Sequence, residues 1–248
     1  MDVLLILMAA FGAGVLNSIA GGGTFLTFPA LVFIGVPPIL ANATSAVVVL
    51  PGYFGGALGF RREIGRFEAA TLFKLLIVTF IGGLIGSLLL LVSTDQAFSF
   101  VVPFLLLAAT MVFLFGDQIR TWAARKSRTV TPFGTMGLLL VSIYGGYFNG
   151  GLGIILLALF ALWGLVDIHE MNGLKIGLSF ALSAVSVAVF AASGLVVWQH
   201  AIGMMVASTV GGYAGAPISR LLPKSFVRGL IALVGLTMSA VFFWRLLA

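Results

Sequence analysis

The chain has four asparagines, and each lies close to glycines, hydroxyls or a lysine within otherwise apolar sequence. Asn17 precedes Gly21, Gly22, Gly23 and Thr24, and Asn149 precedes Gly150, Gly151 and Gly153. Asn42 is followed by Thr44 and Ser45, and Asn172 by Lys175. Carboxamides, hydroxyls, free backbone N–H groups and one ammonium form a set of donors with no nucleophile–base pair among them, which suits holding an anion rather than breaking bonds. The glycine runs interrupt segments that would otherwise be continuous helix. Where a helix restarts after such a break, its first N–H groups are unpaired and its dipole adds partial positive charge, which favours an anion. Thr24 is placed to be the N-cap of the first restart.

Lys175 is the single residue with the sharpest chemistry, because a cation inside a membrane segment is costly and usually marks function. The plain alternative is snorkelling to the interface, or pairing with Asp167 or Glu170. His169 beside Glu170 in "DIHE" could relay a proton, though that stretch suits a solvated loop better. The asparagines could equally staple neighbouring helices. As two pairs at matching places, however, they read as polar walls of one cavity. Glycines 82, 83, 86, 211, 212 and 215 are assigned to close helix packing. Trp163 and Trp198 are expected in interfacial belts.

The elements that must position these residues follow from composition. Of 248 residues, 61% are hydrophobic and 8% charged, with a mean hydropathy of +1.21; soluble domains carry about 25% charged residues. The fold class is therefore an all-α polytopic membrane protein. Ten apolar segments are expected, over 3–19, 24–36, 39–60, 70–92, 97–115, 132–148, 154–166, 171–197, 200–222 and 226–247. The second and seventh are too short for the roughly 20 residues of a full crossing, and read as parts of broken or re-entrant hairpins. The formal charge of +6 does not point to nucleic acid, because the basic residues gather in short loops: Arg61, Arg62 and Arg66; Arg120, Arg125, Lys126 and Arg128; Arg220, Lys224 and Arg228. These loops fall on one side of the membrane, so they are expected to be cytoplasmic and both termini periplasmic. The start "MDVLLILM" lacks a basic region, so a cleavable signal is not expected. With no cysteine and only His169 and His200, neither a metal site nor a cofactor is expected.

The two halves repeat in order. Asn17 and Asn149, Asn42 and Asn172, and "GGLIG" (82–86) and "GGYAG" (211–215) keep offsets of 132, 130 and 129. Five segments per half would make the second copy, 132–248, inverted relative to the first, 1–116, with 117–131 as a cytoplasmic linker. Inverted repeats with glycine-broken segments at matching places outline a secondary transporter whose site lies where the breaks meet.

Three stretches carry a family resemblance: "NSIAGGGTFLTFPALVFIGVPPILANATS", "PGYFGGALGFRRE" and "GGYFNGGLGIILLALFALWGLVDIHEMNGLK". Across essentially the whole chain they resemble the sulfite exporter family (TauE/SafE), also called the toluene-sulfonate uptake permeases. The resemblance implies a bacterial inner-membrane carrier for small sulfur-containing anions such as sulfite, sulfonates or thiolated acids. By motif it implies Gly21–Gly23, Thr24, Asn42, Thr44 and Ser45 in the first half, and Gly150, Gly151, Gly153, Asn172 and Lys175 in the second. Lys175 stands where the first half has Ser45, so an asymmetric cavity is expected. The expected partners are the lipid bilayer and the anion, with proton coupling and homodimer formation left open. A passive anion channel is the alternative. An intramembrane enzyme ranks low for want of catalytic groups, and a scaffold would leave the asparagines and the lysine without a role.

Overall fold

The computed structural model describes residues 2–19, 22–126, 133–218 and 224–247, and every regular element among them is a helix. Long apolar runs favour helices in lipid because each helix satisfies its backbone groups within its own segment. In chain order they are α1 (Asp2–Ile19), α2 (Thr24–Phe33), α3 (Pro38–Gly59), α4 (Arg61–Ile64), α5 (Ala69–Val92), α6 (Asp95–Leu114), α7 (Gly116–Lys126), α8 (Thr135–Phe148), α9 (Leu152–Leu162), α10 (Ile168–Ala192), α11 (Trp198–Ile218) and α12 (Lys224–Leu247). By length and composition, α3, α5, α6 and α10 can cross a membrane; α1, α2, α8 and α9 are shorter apolar helices. With 10 and 11 residues, α2 and α9 are about half the length of a span.

Two helices stand where polar loop was expected. The basic stretch after α3 coils into α4, and most of the linker folds as α7, while 127–131 lie outside the described residues. A fully buried Ala123 seats α7 in the cluster that includes Leu156 and Phe160 of α9. This position places a helix from the middle of the chain directly on the short helix of the second half.

The main packing pairs join early helices to late ones: α1 with α11, α5 with α8, α6 with α12, and α3 with α10. Glycine makes the first two approaches close. A Cβ on Gly86 of α5 would lie 2.8 Å from the Tyr147 nitrogen and 2.9 Å from Gly146 Cα. A Cβ on Gly211 of α11 would lie 2.8 Å from the Phe11 carbonyl carbon. Both obstacles are backbone and cannot move aside, so small residues are required for this backbone contact.

Phe28 of α2 holds the centre. Its ring stacks on Phe242 of α12 at 6.0 Å and meets Phe98 of α6 and Phe148 of α8 edge-on at 6.5 and 5.7 Å. Trp163 departs from the interfacial belt expected of it. It is 4% exposed and packs between Phe133 and Phe160, at 5.5 and 5.3 Å. Its position at the end of α9 turns the indole into the aromatic core instead of toward the outer surface. Trp198, 46% exposed, does face outward.

Candidate substrate site at the helix breaks

The first break separates α1 from α2. Asn17 in the last turn of α1 accepts a hydrogen bond from the Gly23 N–H at 2.8 Å. This occupies one of the free donors at the start of α2. Gly23, not Thr24, stands at the N-cap and no side chain caps it from within; Thr24 is the first helical residue and is buried. The carboxamide arriving from α1 takes the role expected of the Thr24 hydroxyl. Gly22 is buried beside it, and Gly21 lies outside the described residues.

The second break separates α8 from α9. Asn149 (φ 33°) and Gly151 (φ 72°) both take the left-handed conformation, which ends α8 and starts α9. Glycine adopts it without penalty and asparagine is the side chain that tolerates it next best. Gly150 offers its carbonyl to the Tyr144 hydroxyl, and Gly153 lies buried in the first turn of α9. Asn149 is 5% exposed and donates from Nδ2 to Ser183 of α10 at 3.3 Å.

A single turn of α3 joins the two breaks. Asn42 Nδ2 donates to the Tyr147 carbonyl at 2.9 Å, in the last turn of α8, where helical N–H donors run out. Ser45 hydrogen-bonds Thr27 of α2 through their hydroxyls. The Phe28–Phe148 contact brings α2 against the residue just before Asn149. Thr44 points elsewhere: its hydroxyl accepts from the Val197 N–H at 3.0 Å, just before α11.

Lys175 and Asn172 form a separate group. Lys175 is 9% exposed and donates to Asn172 Oδ1 at 2.9 Å, one turn back on α10. Among the described residues no carboxylate pairs with it. Arg66, after α4, takes both nearby acids, at 3.7 Å from Asp167 and 3.4 Å from Glu170. Lys175 lies eight residues before Ser183 on α10, about 12 Å along the axis. The lysine pair is therefore two turns from the Asn149 layer rather than in it.

The "DIHE" stretch begins α10. Asp167 is its N-cap and accepts the His169 N–H at 2.8 Å. That bond, aided by the Glu170 N–H and more weakly by Arg66, holds the Asp167 carboxyl below the usual carboxylate range. His169 is exposed. This geometry is that of a solvated, capped and ion-paired helix start.

Sequence reading missed Thr27, Ser183 and the Tyr147 carbonyl. The serines at 179, 183 and 186 do carry a signal, a helical spacing of four and three within "LSFALSAVS". A backbone carbonyl carries none.

The family profile described as Sulfite exporter TauE/SafE matches residues 6–242. The chain belongs to that family. A probable membrane transporter protein of Haemophilus influenzae is 29% identical over 241 residues, covering 96% of this chain and 94% of its own length. The probable membrane transporter protein ORF9 of Sinorhizobium sp is 26% identical over 239 residues, with coverages of 94% and 88%. The probable membrane transporter protein YfcA of Escherichia coli K12 is 26% identical over 238 residues, with coverages of 95% and 87%. No solved structure matches the chain. Members of the TauE/SafE family are membrane transporters, not enzymes.

Proposed function

We propose that this TauE/SafE chain is a secondary carrier that moves small sulfur-containing anions, such as sulfite, sulfonates or thiolated acids, across a bacterial inner membrane. Two inverted halves, 1–116 and 132–248, alternate access to a site at the breaks, with the basic loops cytoplasmic and the termini periplasmic. Family membership and the description of its relatives as transporters support the general reading. The exchange of partners between halves supports the repeat: α1 packs on α11 as α8 packs on α5, and α3 meets α11 as α10 meets α5.

The observation that carries the proposal is the one turn of α3, Asn42 to Ser45, that touches both breaks. The Asn42–Tyr147 bond crosses between the halves while Ser45 ties α3 to α2 within the first, so a movement of one half against the other must remake the Asn42 contact, which couples anion binding between the breaks to the conformational change. Unpartnered polar atoms beside the breaks, Asn17 Nδ2 and Asn149 Oδ1, leave hydrogen-bonding capacity for a polar guest.

Thermal unfolding of purified protein with sulfite, thiosulfate, alkanesulfonates and thiol acids identifies the ligand, because a ligand of the folded state raises Tm. Reconstituted vesicles then test the mechanism. Saturable uptake with counterflow is expected. Ohmic, non-saturating conductance identifies a passive channel and refutes the carrier.

A further inference from the structure

Helix α10 carries a row of buried polar side chains that the breaks alone do not explain. Lys175, Ser179, Ser183 and Ser186 are 9%, 1%, 0% and 2% exposed. Spacings of four, four and three place them on one face. The row runs between two packed flanks. On one, Ile176 lies where a Cβ on Gly56 of α3 would meet it at 2.9 Å; on the other, Leu182 lies within 3.3 Å of the same construction on Gly83 of α5. The polar face thus looks into the seam between α3 and α5, both from the first half.

One atom on this row and one beside it have no partner. Ser186 Oγ is buried and unbonded, although a serine inside a helix ordinarily bonds back to its own carbonyls. Asn149 gives one end of its carboxamide to Ser183 and leaves Oδ1 buried and unpaired. Buried polar groups left unpaired are costly, and alanine at Ser186 would avoid that cost. A guest with hydrogen-bonding atoms resolves both.

Building on the carrier reading above, we infer that the row from Lys175 to Ser186 is the track along which the anion passes between the Asn172–Lys175 end and the Asn149 break, with Ser183 and Ser186 touching it directly. Each rung is about 6 Å or less from the next along the axis, so an oxyanion can engage one donor before releasing the previous one. The ammonium of Lys175 sets the sign of the charge that enters. The corresponding face of α3 has Asn42 and Ser45 but then Val49, Tyr53 and Gly56, so the track belongs to the second half alone.

The absence of cysteine makes the test direct, since each introduced cysteine is the sole thiol. Ser179→Cys, Ser183→Cys and Ser186→Cys are compared in proteoliposomes with Ala188→Cys, on the exposed side of α10, and Ser239→Cys, a buried hydroxyl of α12 off the row that donates to the Pro103 carbonyl. Each is reacted with sulfonatoethyl methanethiosulfonate and with its cationic trimethylammonium counterpart. Monodisperse elution of every variant in detergent verifies the fold, and the one-atom change from serine to cysteine is mild at all three positions. With each rate taken relative to that reagent's rate with a free thiol in solution, the row positions are expected to react with the anionic reagent about tenfold faster than Ser239→Cys, and faster than with the cation, a preference that Lys175→Gln removes. Row positions as unreactive as Ser239→Cys, or equally reactive to both charges on that relative scale, overturn the track. Labelling requires no knowledge of the substrate. Failure of every sulfur anion to shift Tm or enter vesicles, with labelling intact, therefore counts against the carrier reading and not against the track.

Discussion

Replacing Asn42 by alanine removes the side chain that links the first half to the end of α8. Asn42 is 3% exposed, and its Nδ2 is 2.9 Å from the Tyr147 carbonyl. That carbonyl lies in the final turn of α8, where no further turn of helix supplies an N–H. In the variant this part-buried carbonyl loses its donor. Such a group costs about 1–3 kcal/mol. Side-chain hydrogen bonds between membrane helices average near 0.6 kcal/mol when both partners can find substitutes, but a carbonyl fixed in a helix end has little freedom to do so, so the larger range applies. For a chain of this size each kcal/mol lowers Tm by about 2–4 °C, which gives a fall of roughly 2–12 °C. The measurement is thermal unfolding in detergent followed by tryptophan fluorescence. Gln118→Ala, on the exposed face of α7, serves as the control, with a change below about 0.5 kcal/mol. An Asn42→Ala variant that melts within about 1 °C of the parent would show that the link between α3 and the second break contributes nothing, and the coupling drawn from it would fail.

Other substitutions test separate parts of the structure. Gly86→Ala should destabilise by about 1–3 kcal/mol or more, because the new methyl meets α8 backbone, whereas Gly52→Ala, with nothing within 4 Å, should be neutral or slightly stabilising; matched melting temperatures for the two would refute the α5–α8 contact. Lys175→Ala should reduce anion uptake by more than about tenfold at unchanged yield, and unaltered uptake kinetics would remove the lysine from the path. Asp167 has a lowered pKa in the folded state, so its support for the start of α10 is present above the ordinary carboxylate range and is lost as pH falls through the lower folded value. Asp167→Asn keeps a capping side chain but should flatten the acid side of the stability-against-pH curve, and an unchanged acid limb would contradict the assignment.

Local properties of the chain determined much of this protein. Apolar runs in a solvent that cannot bond the backbone have to be helices, and "GGGT" and "NGGLG" have to interrupt them, because glycine and asparagine permit turns that bulkier side chains resist. The motifs around Asn17, Asn42, Asn149 and Asn172 were sufficient to identify the family. Even the close-packing role of Gly82, Gly86 and Gly211 was legible, since small residues at helical spacing have few other uses in lipid.

What only the tertiary structure decided was who meets whom. Lys175 bonds Asn172 rather than Asp167 or Glu170 because Arg66, about a hundred residues earlier, already holds both acids. Asn42 finds a carbonyl 105 positions away. Thr24 yields its capping place to Asn17, and Trp163 turns inward onto Phe133 and Phe160. The linker coils into α7 because α9 offers Ala123 a seat. Hydrophobicity and backbone bonding are properties of neighbours in sequence, so they can be read there. A side chain's partner depends on how distant helices stack, and in a chain whose surfaces are nearly all apolar, hydropathy cannot select one stacking over another; shape and a few polar atoms do.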